Sequence, residues 1–269
     1  MIITVNEVNY HVSVAGNGTP LLLLHGFTGD ITTWNNVVQH LKGTYKVISI
    51  DIIGHGNTDS PNDIDKYDIE RVAHDLMLIM DKMSIEKAHM LGYSMGGRLA
   101  LSFAMIFPKK VISLILESAS PGLKTVKDRE KRKQSDALLA MMIEDKGMGE
   151  FVNYWEEIPL FSTQQQLPEE KQKQIRTQRL ANSPSGLANS LRGMGTGSQP
   201  SWWDKLGELD KPVKLICGEA DGKFCEIAKE MQKKLPNCQF TVVQRAGHAI
   251  HVEDPEIFGT IVREFLSAI

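Results

Sequence analysis

A series of short runs in this chain is apolar on both faces, and nothing else in the sequence narrows the choice of fold so much. Pro20–Leu24, Lys46–Ile50 and Ala88–Leu91 carry apolar residues at consecutive or near-consecutive positions, Val111–Leu116 reads as a further buried strand, and strand texture returns at Pro212–Cys217 and Gln239–Val243. A strand wetted on one side alternates, whereas a strand covered on both sides does not, and parallel sheets are covered on both sides. Between these runs lie amphipathic stretches, Trp34–Leu41 and Ile69–Met83, and a strong helix is expected over Gly96–Phe107, ending near Pro108. Strand and helix in alternation predict an α/β chain with a parallel sheet and right-handed crossovers. Ile2–Val5 and Tyr10–Val14 read as an antiparallel opening hairpin around Asn6–Asn9, and Pro255–Leu266 as a closing helix.

From about residue 123 to 200 the texture changes to Lys, Gln, Glu and Met, with no strand-like run. The expected organisation is an α/β core over 1–122 and 201–269, interrupted by a helical lid over 123–200. A length of 269 residues suits one such core with an insertion. With 42% hydrophobic and 23% charged residues and a net charge of −3, the composition is that of a soluble globular chain. It gives no reason to expect nucleic acid or a membrane as partner. Met1–Tyr10 has no signal-peptide pattern, and the apolar run Leu21–Leu24 is far too short to span a bilayer. Cys217, Cys225 and Cys238 are odd in number and fit no metal framework, so reduced thiols in a cytoplasmic protein are expected, with Cys217 in the core.

Gly92-Tyr93-Ser94-Met95-Gly96 matches G-x-S-x-G, here after a buried strand and at the start of a helix. A turn this tight holds the serine in a strained conformation, and the flanking glycines remove side chains that would clash. The hydroxyl then projects above the carboxyl edge of the sheet, where open α/β sheets bind ligands. His25-Gly26-Phe27 follows the first parallel strand. The backbone amides of Phe27 and Met95 are assigned to an oxyanion hole, while His25 is expected to bond loop backbone.

In folds built on this elbow the chain order is serine, acid, histidine. Of the eight histidines only His248 and His251 follow Ser94. Gly247-His248 sits in a loop before the last helix and is taken as the base, with His251 expected to pack or cap near Glu253. Asp221 follows a buried strand and is taken as the acid that fixes the imidazole tautomer. Glu219 competes with it, Asp210 precedes the strand, and a helix cap is the alternative role for Asp221. Asp51 and His55 precede the serine and read as a structural turn. No ligand-spaced cluster implies a metal, and no G-x-G-x-x-G implies a dinucleotide.

The lid is rich in charge. Lys124–Lys133 holds six cations and two anions, and Arg176, Arg179 and Arg192 follow. Guanidinium forks bind carboxylates bidentately. Arg98, four residues after Ser94, returns to the elbow's face after one helical turn. These residues point to a small substrate carrying more than one carboxylate.

Taken together, Gly92-Tyr-Ser-Met-Gly-Gly-Arg98, Glu117-Ser-Ala-Ser-Pro-Gly-Leu123, Arg129–Arg132 with Asp136, Trp155 before Pro159-Leu-Phe161, Arg179 before Asn182, Gly193–Trp202, Gly218–Phe224 and Ala246–His251 resemble the 2-succinyl-6-hydroxy-2,4-cyclohexadiene-1-carboxylate synthases over essentially the whole chain. These enzymes are the menaquinone-pathway branch of the α/β-hydrolase superfamily. The resemblance implies a mostly parallel twisted sheet with helices on both faces and an inserted lid. It further implies a cofactor-free lyase reaction on 2-succinyl-5-enolpyruvyl-6-hydroxy-3-cyclohexene-1-carboxylate, with loss of pyruvate. Arg98, Arg132 and Arg179 would bind the three carboxylates, Tyr93 and Trp155 would line the pocket, and Ser94 would act as a base. The expected partner is this polycarboxylate alone, in a monomer or weak homo-oligomer. The triad by itself serves equally a carboxylester or C–C bond hydrolase with a nucleophilic serine, and a non-catalytic binding protein stands as a third reading.

Overall fold

Strands and helices alternate along the chain as their apolar patterns require, in a computed structural model that describes residues 1–269. Strands β1 (Ile2–Val5) and β2 (Val8–Ala15) form the opening hairpin. It turns at Asn6-Glu7, whose φ of 46° and 63° suit a two-residue turn that follows the strand twist. β3 (Thr19–Leu24), α1 (Asn35–Leu41), β4 (Tyr45–Ile50), α2 (Ile69–Lys82), β5 (Ala88–Tyr93), α3 (Met95–Ile106) and β6 (Val111–Glu117) follow. The chain then runs through α4 (Val126–Glu157), α5 (Glu169–Leu180) and α6 (Pro184–Met194) without a strand. It resumes with β7 (Val213–Gly218), α7 (Gly222–Gln232), β8 (Cys238–Val243), α8 (Ile250–Glu253) and α9 (Pro255–Ser267). Side chains cap several starts: Asp68 accepts from the amides of Glu70 and Arg71 at α2, Thr125 from Asp128 at α4, and Asp254 from Ile257 at α9.

The strands form one eight-stranded sheet in the order β1-β2-β4-β3-β5-β6-β7-β8. β2 runs antiparallel to β1 and β4, and every pair from β4 to β8 is parallel. The double-sided apolar runs explain themselves. Leu22 and Leu24 pack with Val72 and Leu76 of α2 and Leu99 and Phe103 of α3, whereas Leu21 and Leu23 pack with Val37 and Leu41 of α1 and Phe258 and Val262 of α9. Register places Leu24 beside Gly92, Tyr93 beside Glu117 and Gly218 beside Val243. The loops leaving β3, β5, β7 and β8 therefore emerge along one edge of the sheet, the edge that crossover topology leaves free for chemistry.

Besides the one-turn α8, three elements differ from the sequence reading. The stretch expected as a helix from Trp34 opens instead on a 3-10 turn, Ile31–Trp34, capped by Asp30, before α1 begins at Asn35. α7 is additional to the elements read from the sequence. The long α4 is bent at Gly147, whose φ of 77° and ψ of 174° lie outside any helix. The inserted helices hold a small core of their own, Ile143, Phe151, Val152, Leu187 and Leu191, with Phe27 and Trp155 packed against it. The two ends of the insertion meet: Trp202 donates its amide to the Pro121 carbonyl at 2.8 Å and Trp203 Nε1 to the Gly122 carbonyl at 2.8 Å. No helix is long and apolar enough to cross a membrane.

Candidate active site

Ser94 stands between β5 and α3 with φ 49° and ψ −105°, a conformation that costs a non-glycine residue free energy and that the surroundings impose. The turn closes only because Gly92 and Gly96 lack side chains. A Cβ on Gly92 would lie 2.3 Å from the Gly96 carbonyl oxygen, and one on Gly96 2.1 Å from that of Leu24. The Ser94 amide donates to the Glu117 carbonyl at 2.8 Å, which ties the elbow to β6.

Three distant stretches meet at this hydroxyl. His248 Nε2 lies 3.0 Å from Ser94 Oγ, and His248 Nδ1 lies 2.6 Å from Asp221 Oδ2. A carboxylate only accepts, so the imidazole proton sits on Nδ1 and donates to Asp221, which leaves Nε2 as the acceptor for the serine hydroxyl. Asp221 also caps α7, its Oδ1 accepting from the Phe224 amide at 3.3 Å. The two roles set against each other in the sequence are held at once, one by each carboxylate oxygen. Glu219 is engaged elsewhere, accepting from the Arg245 amide.

His251 corrects an expectation. It does not pair with Glu253 but with Glu117: its Nδ1 lies 2.7 Å from Glu117 Oε2, and its amide donates to Glu117 Oε1 at 3.0 Å, both side chains being wholly buried. Glu253 instead accepts from the Gly247 amide at 2.6 Å and braces the base loop. Tyr93 fills the space between the two imidazoles, its ring centroid 5.3 Å from that of His248 and 4.6 Å from that of His251. Burial drives the Tyr93 phenol far above its ordinary pKa, and nearby Glu117 adds to the effect, so it stays protonated. His25 bonds loop backbone as expected, donating from Nδ1 to the Gly26 carbonyl and accepting at Nε2 from the Ile52 amide. Asp51 is structural, accepting from His11 Nδ1 and from the amides of Ile31 and Asn57.

A cavity of about 870 Å³ opens above Ser94 and His248. Phe27, Met95, Tyr93, Trp155, Arg98 and Arg132 all line it. The amides of Phe27 and Met95 donate to no protein acceptor, which leaves them free for an oxyanion. Arg98 is buried with Nη1 bonded to the Met194 carbonyl and to Gln199 Oε1, each at 2.7 Å, and Nε and Nη2 bonded to nothing in the protein. Burial, and secondarily Arg132, brings its pKa down to about 10, so it remains a cation at neutral pH. Arg132 is half-exposed and held by Asp136 at 2.7 Å.

Arg179 is the one expected residue not brought to this wall. It is buried, donates to Gln164 Oε1 at 2.8 Å, lies 3.4 Å from Glu156, and stacks 4.9 Å from the centroid of Phe161, which does line the cavity. One aromatic ring and two polar partners hold it back. Lys131 and Lys223 line the cavity and were not singled out from the sequence, although Lys223 lies only two residues beyond Asp221. No group of three or more His, Cys, Asp or Glu side chains is placed to hold a metal ion.

Comparison with known proteins bears on the fold and the family. The family described as alpha/beta hydrolase fold matches residues 19–255. A protein of Bacillus subtilis (strain 168) that provisionally carries the name 2-succinyl-6-hydroxy-2,4-cyclohexadiene-1-carboxylate synthase is 48% identical over 99% of this chain and 98% of its own. The synthase of that name from Enterobacter sp. (strain 638) is 31% identical over 91% of each chain. Among solved structures, MenH from S. aureus superposes with a TM-score of 0.92 at 39% identity, over 96% of this chain and 98% of that one. A thermophilic esterase from Thermogutta terrifontis with malate bound superposes with a TM-score of 0.86 at 27% identity, over 97% and 94%. By sequence along its full length and by fold, the chain belongs to the 2-succinyl-6-hydroxy-2,4-cyclohexadiene-1-carboxylate synthase family of the α/β-hydrolase fold.

Proposed function

We propose that the enzyme eliminates pyruvate from 2-succinyl-5-enolpyruvyl-6-hydroxy-3-cyclohexene-1-carboxylate to give 2-succinyl-6-hydroxy-2,4-cyclohexadiene-1-carboxylate. The observation that carries this reading is a hydroxyl 3.0 Å from an imidazole at the floor of a cavity whose walls bear guanidinium groups. Ser94 Oγ takes a ring proton from the substrate as His248 Nε2 takes the serine's own, because a free alkoxide is far too basic to form at neutral pH. The C2–H electron pair becomes the C2=C3 double bond, the pair of the existing C3=C4 bond moves to C4=C5, and the C5–O bond to the enolpyruvyl group breaks. The departing enolate takes up a proton and leaves as pyruvate. Asp221 stabilises the imidazolium formed in between. The amides of Phe27 and Met95 receive the oxyanion that develops on the succinyl ketone oxygen, next to the ring carbon that loses its proton. Arg98 and Arg132 bind carboxylates of the substrate, and Tyr93 and Trp155 shape the apolar wall. Arg179 meets the third carboxylate once Phe161 gives way. No cofactor takes part in this scheme.

A second reading, carboxylester hydrolysis, is favoured by the likeness to the T. terrifontis esterase, which holds a dicarboxylate, malate. The test follows diene absorbance together with pyruvate release from the enolpyruvyl substrate. Stoichiometric diene and pyruvate with no acyl-enzyme are expected, and Ser94→Ala should lower kcat by about three orders of magnitude or more. Absence of both products, with a burst of acyl-enzyme on esters, would replace the lyase by the hydrolase.

A further inference from the structure

The loop after β3 carries its oxyanion-hole amide on a turn that its own residues do not favour. The Gly29 amide donates to the Gly26 carbonyl at 3.1 Å, which makes Phe27 and Thr28 the central residues of a four-residue turn. Thr28 has φ 68°. That is the left-handed value a type II turn needs at its third position, where glycine or asparagine is usual and a β-branched residue is disfavoured. A residue in such a state persists only if neighbouring structure holds it.

The holding contact comes from the lid. Asn182, just past the end of α5 and buried, donates from Nδ2 to the Thr28 carbonyl at 2.9 Å, and that carbonyl has no other partner. The same carboxamide accepts at Oδ1 from the Gly56 amide at 3.2 Å and donates to the Gln178 carbonyl at 3.1 Å. One turn back, Gln178 Nε2 lies 2.7 Å from Asp30 Oδ1 and 2.8 Å from Thr32 Oγ1, fastening the far end of the same loop.

We propose that Asn182 is a positioning residue for the oxyanion hole: by holding the Thr28 carbonyl from the lid, it keeps the turn in the form that aims the Phe27 amide at the cavity. The hole is then complete only when the end of α5 is seated on the loop, so lid docking and assembly of the electrophilic site are one event. This rests on the assignment of the Phe27 amide to the hole, and it deepens the reading of the site given above.

The experiment is a double-mutant cycle of Asn182→Ala with Thr28→Gly, alongside the single variant Asn182→Asp. Two rates are read: pyruvate elimination, and phosphonylation of Ser94 by a p-nitrophenyl alkylphosphonate. In the second, Ser94 Oγ bonds to phosphorus, p-nitrophenolate departs, the serine proton passes to His248, and the phosphoryl oxygen occupies the hole whatever the natural substrate is. Asn182→Ala and Asn182→Asp are expected to slow phosphonylation and kcat together by about 100-fold, the loss typical of one oxyanion donor, with KM changed less than about threefold. Glycine at position 28 adopts the left-handed conformation unaided, so Asn182→Ala should cost about tenfold less in the Thr28→Gly background. Equal losses in both backgrounds, or wild-type phosphonylation in Asn182→Asp, would overturn the proposal. The expected phosphonylation losses across this cycle, found in an enzyme that makes no diene, would leave the proposal standing and remove the lyase reading instead.

Discussion

Arg98 is buried one helical turn from Ser94 with only Nη1 bonded to protein, so its Nε and Nη2 remain available to a ligand in the cavity. Lysine has a single ammonium and cannot hold Met194 and Gln199 while presenting a fork to a carboxylate. Losing a charge-assisted hydrogen bond of this kind is worth about 1.5–3 kcal/mol, so Arg98→Lys should raise KM by roughly 10- to 100-fold. The same burial that lowers the arginine to about 10 acts on a lysine whose ordinary pKa is already about 10.4. The variant should therefore lose kcat/KM further as pH rises from roughly 7 to 9, a fall absent from the wild type. A flat profile in Arg98→Lys with wild-type KM would mean that the guanidinium does not hold substrate. Arg98 was legible because its relation to Ser94 is local, four residues along one helix. Glu117 was not, because its partners His251 and the Ser94 amide lie far off in sequence and meet only across the sheet edge. Arg179 was legible as a residue but not in its placement, since Gln164, Glu156 and Phe161 that restrain it come from other turns of the lid.

Helix α4 delivers two parts of the site from the two sides of one bend. Arg132 precedes Gly147, Trp155 follows it, and both reach the same cavity. At Gly147 a Cβ would meet nothing, so space does not require glycine there; the backbone does, because φ 77° with ψ 174° belongs to a region essentially closed to other residues. Gly147→Ala should cost about 1–3 kcal/mol of lid geometry. The expected result is a KM raised severalfold with little change in Ser94 phosphonylation. Asparagine, which relieves left-handed helical positions, should not rescue this one. Equal KM values for wild type and Gly147→Ala would show that the bend does not set the distance between Arg132 and Trp155. The sequence revealed the lid as helical and without strands, yet not this bend, because of two close glycines, Gly147 and Gly149, nothing in the pattern marks which one leaves helical backbone. α7 escaped for a related reason. Its start is hidden in the acid loop, where Asp221 reads as a catalytic residue or as a cap and turns out to be positioned as both. The central strands β3 to β7 were legible to within a residue or two because burial on both faces leaves continuous apolar runs, whereas β8 at the sheet edge buries only Val243.

For the molecule as a whole, the joint between lid and core is built over buried histidines. A Cβ on Gly54 would lie 2.7 Å from the Gly186 carbonyl of α6, so the lid rests directly on the 51–56 loop. Beneath it the His55 and His25 rings lie with centroids 5.2 Å apart, tilted by 56°. Burial lowers the pKa of both, that of His55 to about 3 with the nearby His25 adding to it, and burial lowers His89 as well. The sign follows from linkage. Below pH 6.5 the unfolded chain binds protons at these histidines while the folded one does not, so stability present above that pH is lost as pH falls toward 3. Each such histidine contributes a slope of about 1.4 kcal/mol per pH unit within its window. Asp75, Asp136 and Glu253, raised by burial, take up protons sooner in the folded state and act in the opposite direction at the acid end. The net loss should thus be steepest near the top of the window, seen as a falling urea midpoint between roughly pH 7 and 5. His55→Asn isolates one term. An asparagine Nδ2 stands in for the imidazole Nδ1 that lies 3.1 Å from the Ile53 carbonyl, but it takes up no proton. Whatever the substitution does to absolute stability, the pH slope of unfolding should shrink by close to one proton. A slope identical to the wild type's would place the acid sensitivity elsewhere, because no rearrangement of packing can mimic the loss of a titrating group from only one side of the folding equilibrium.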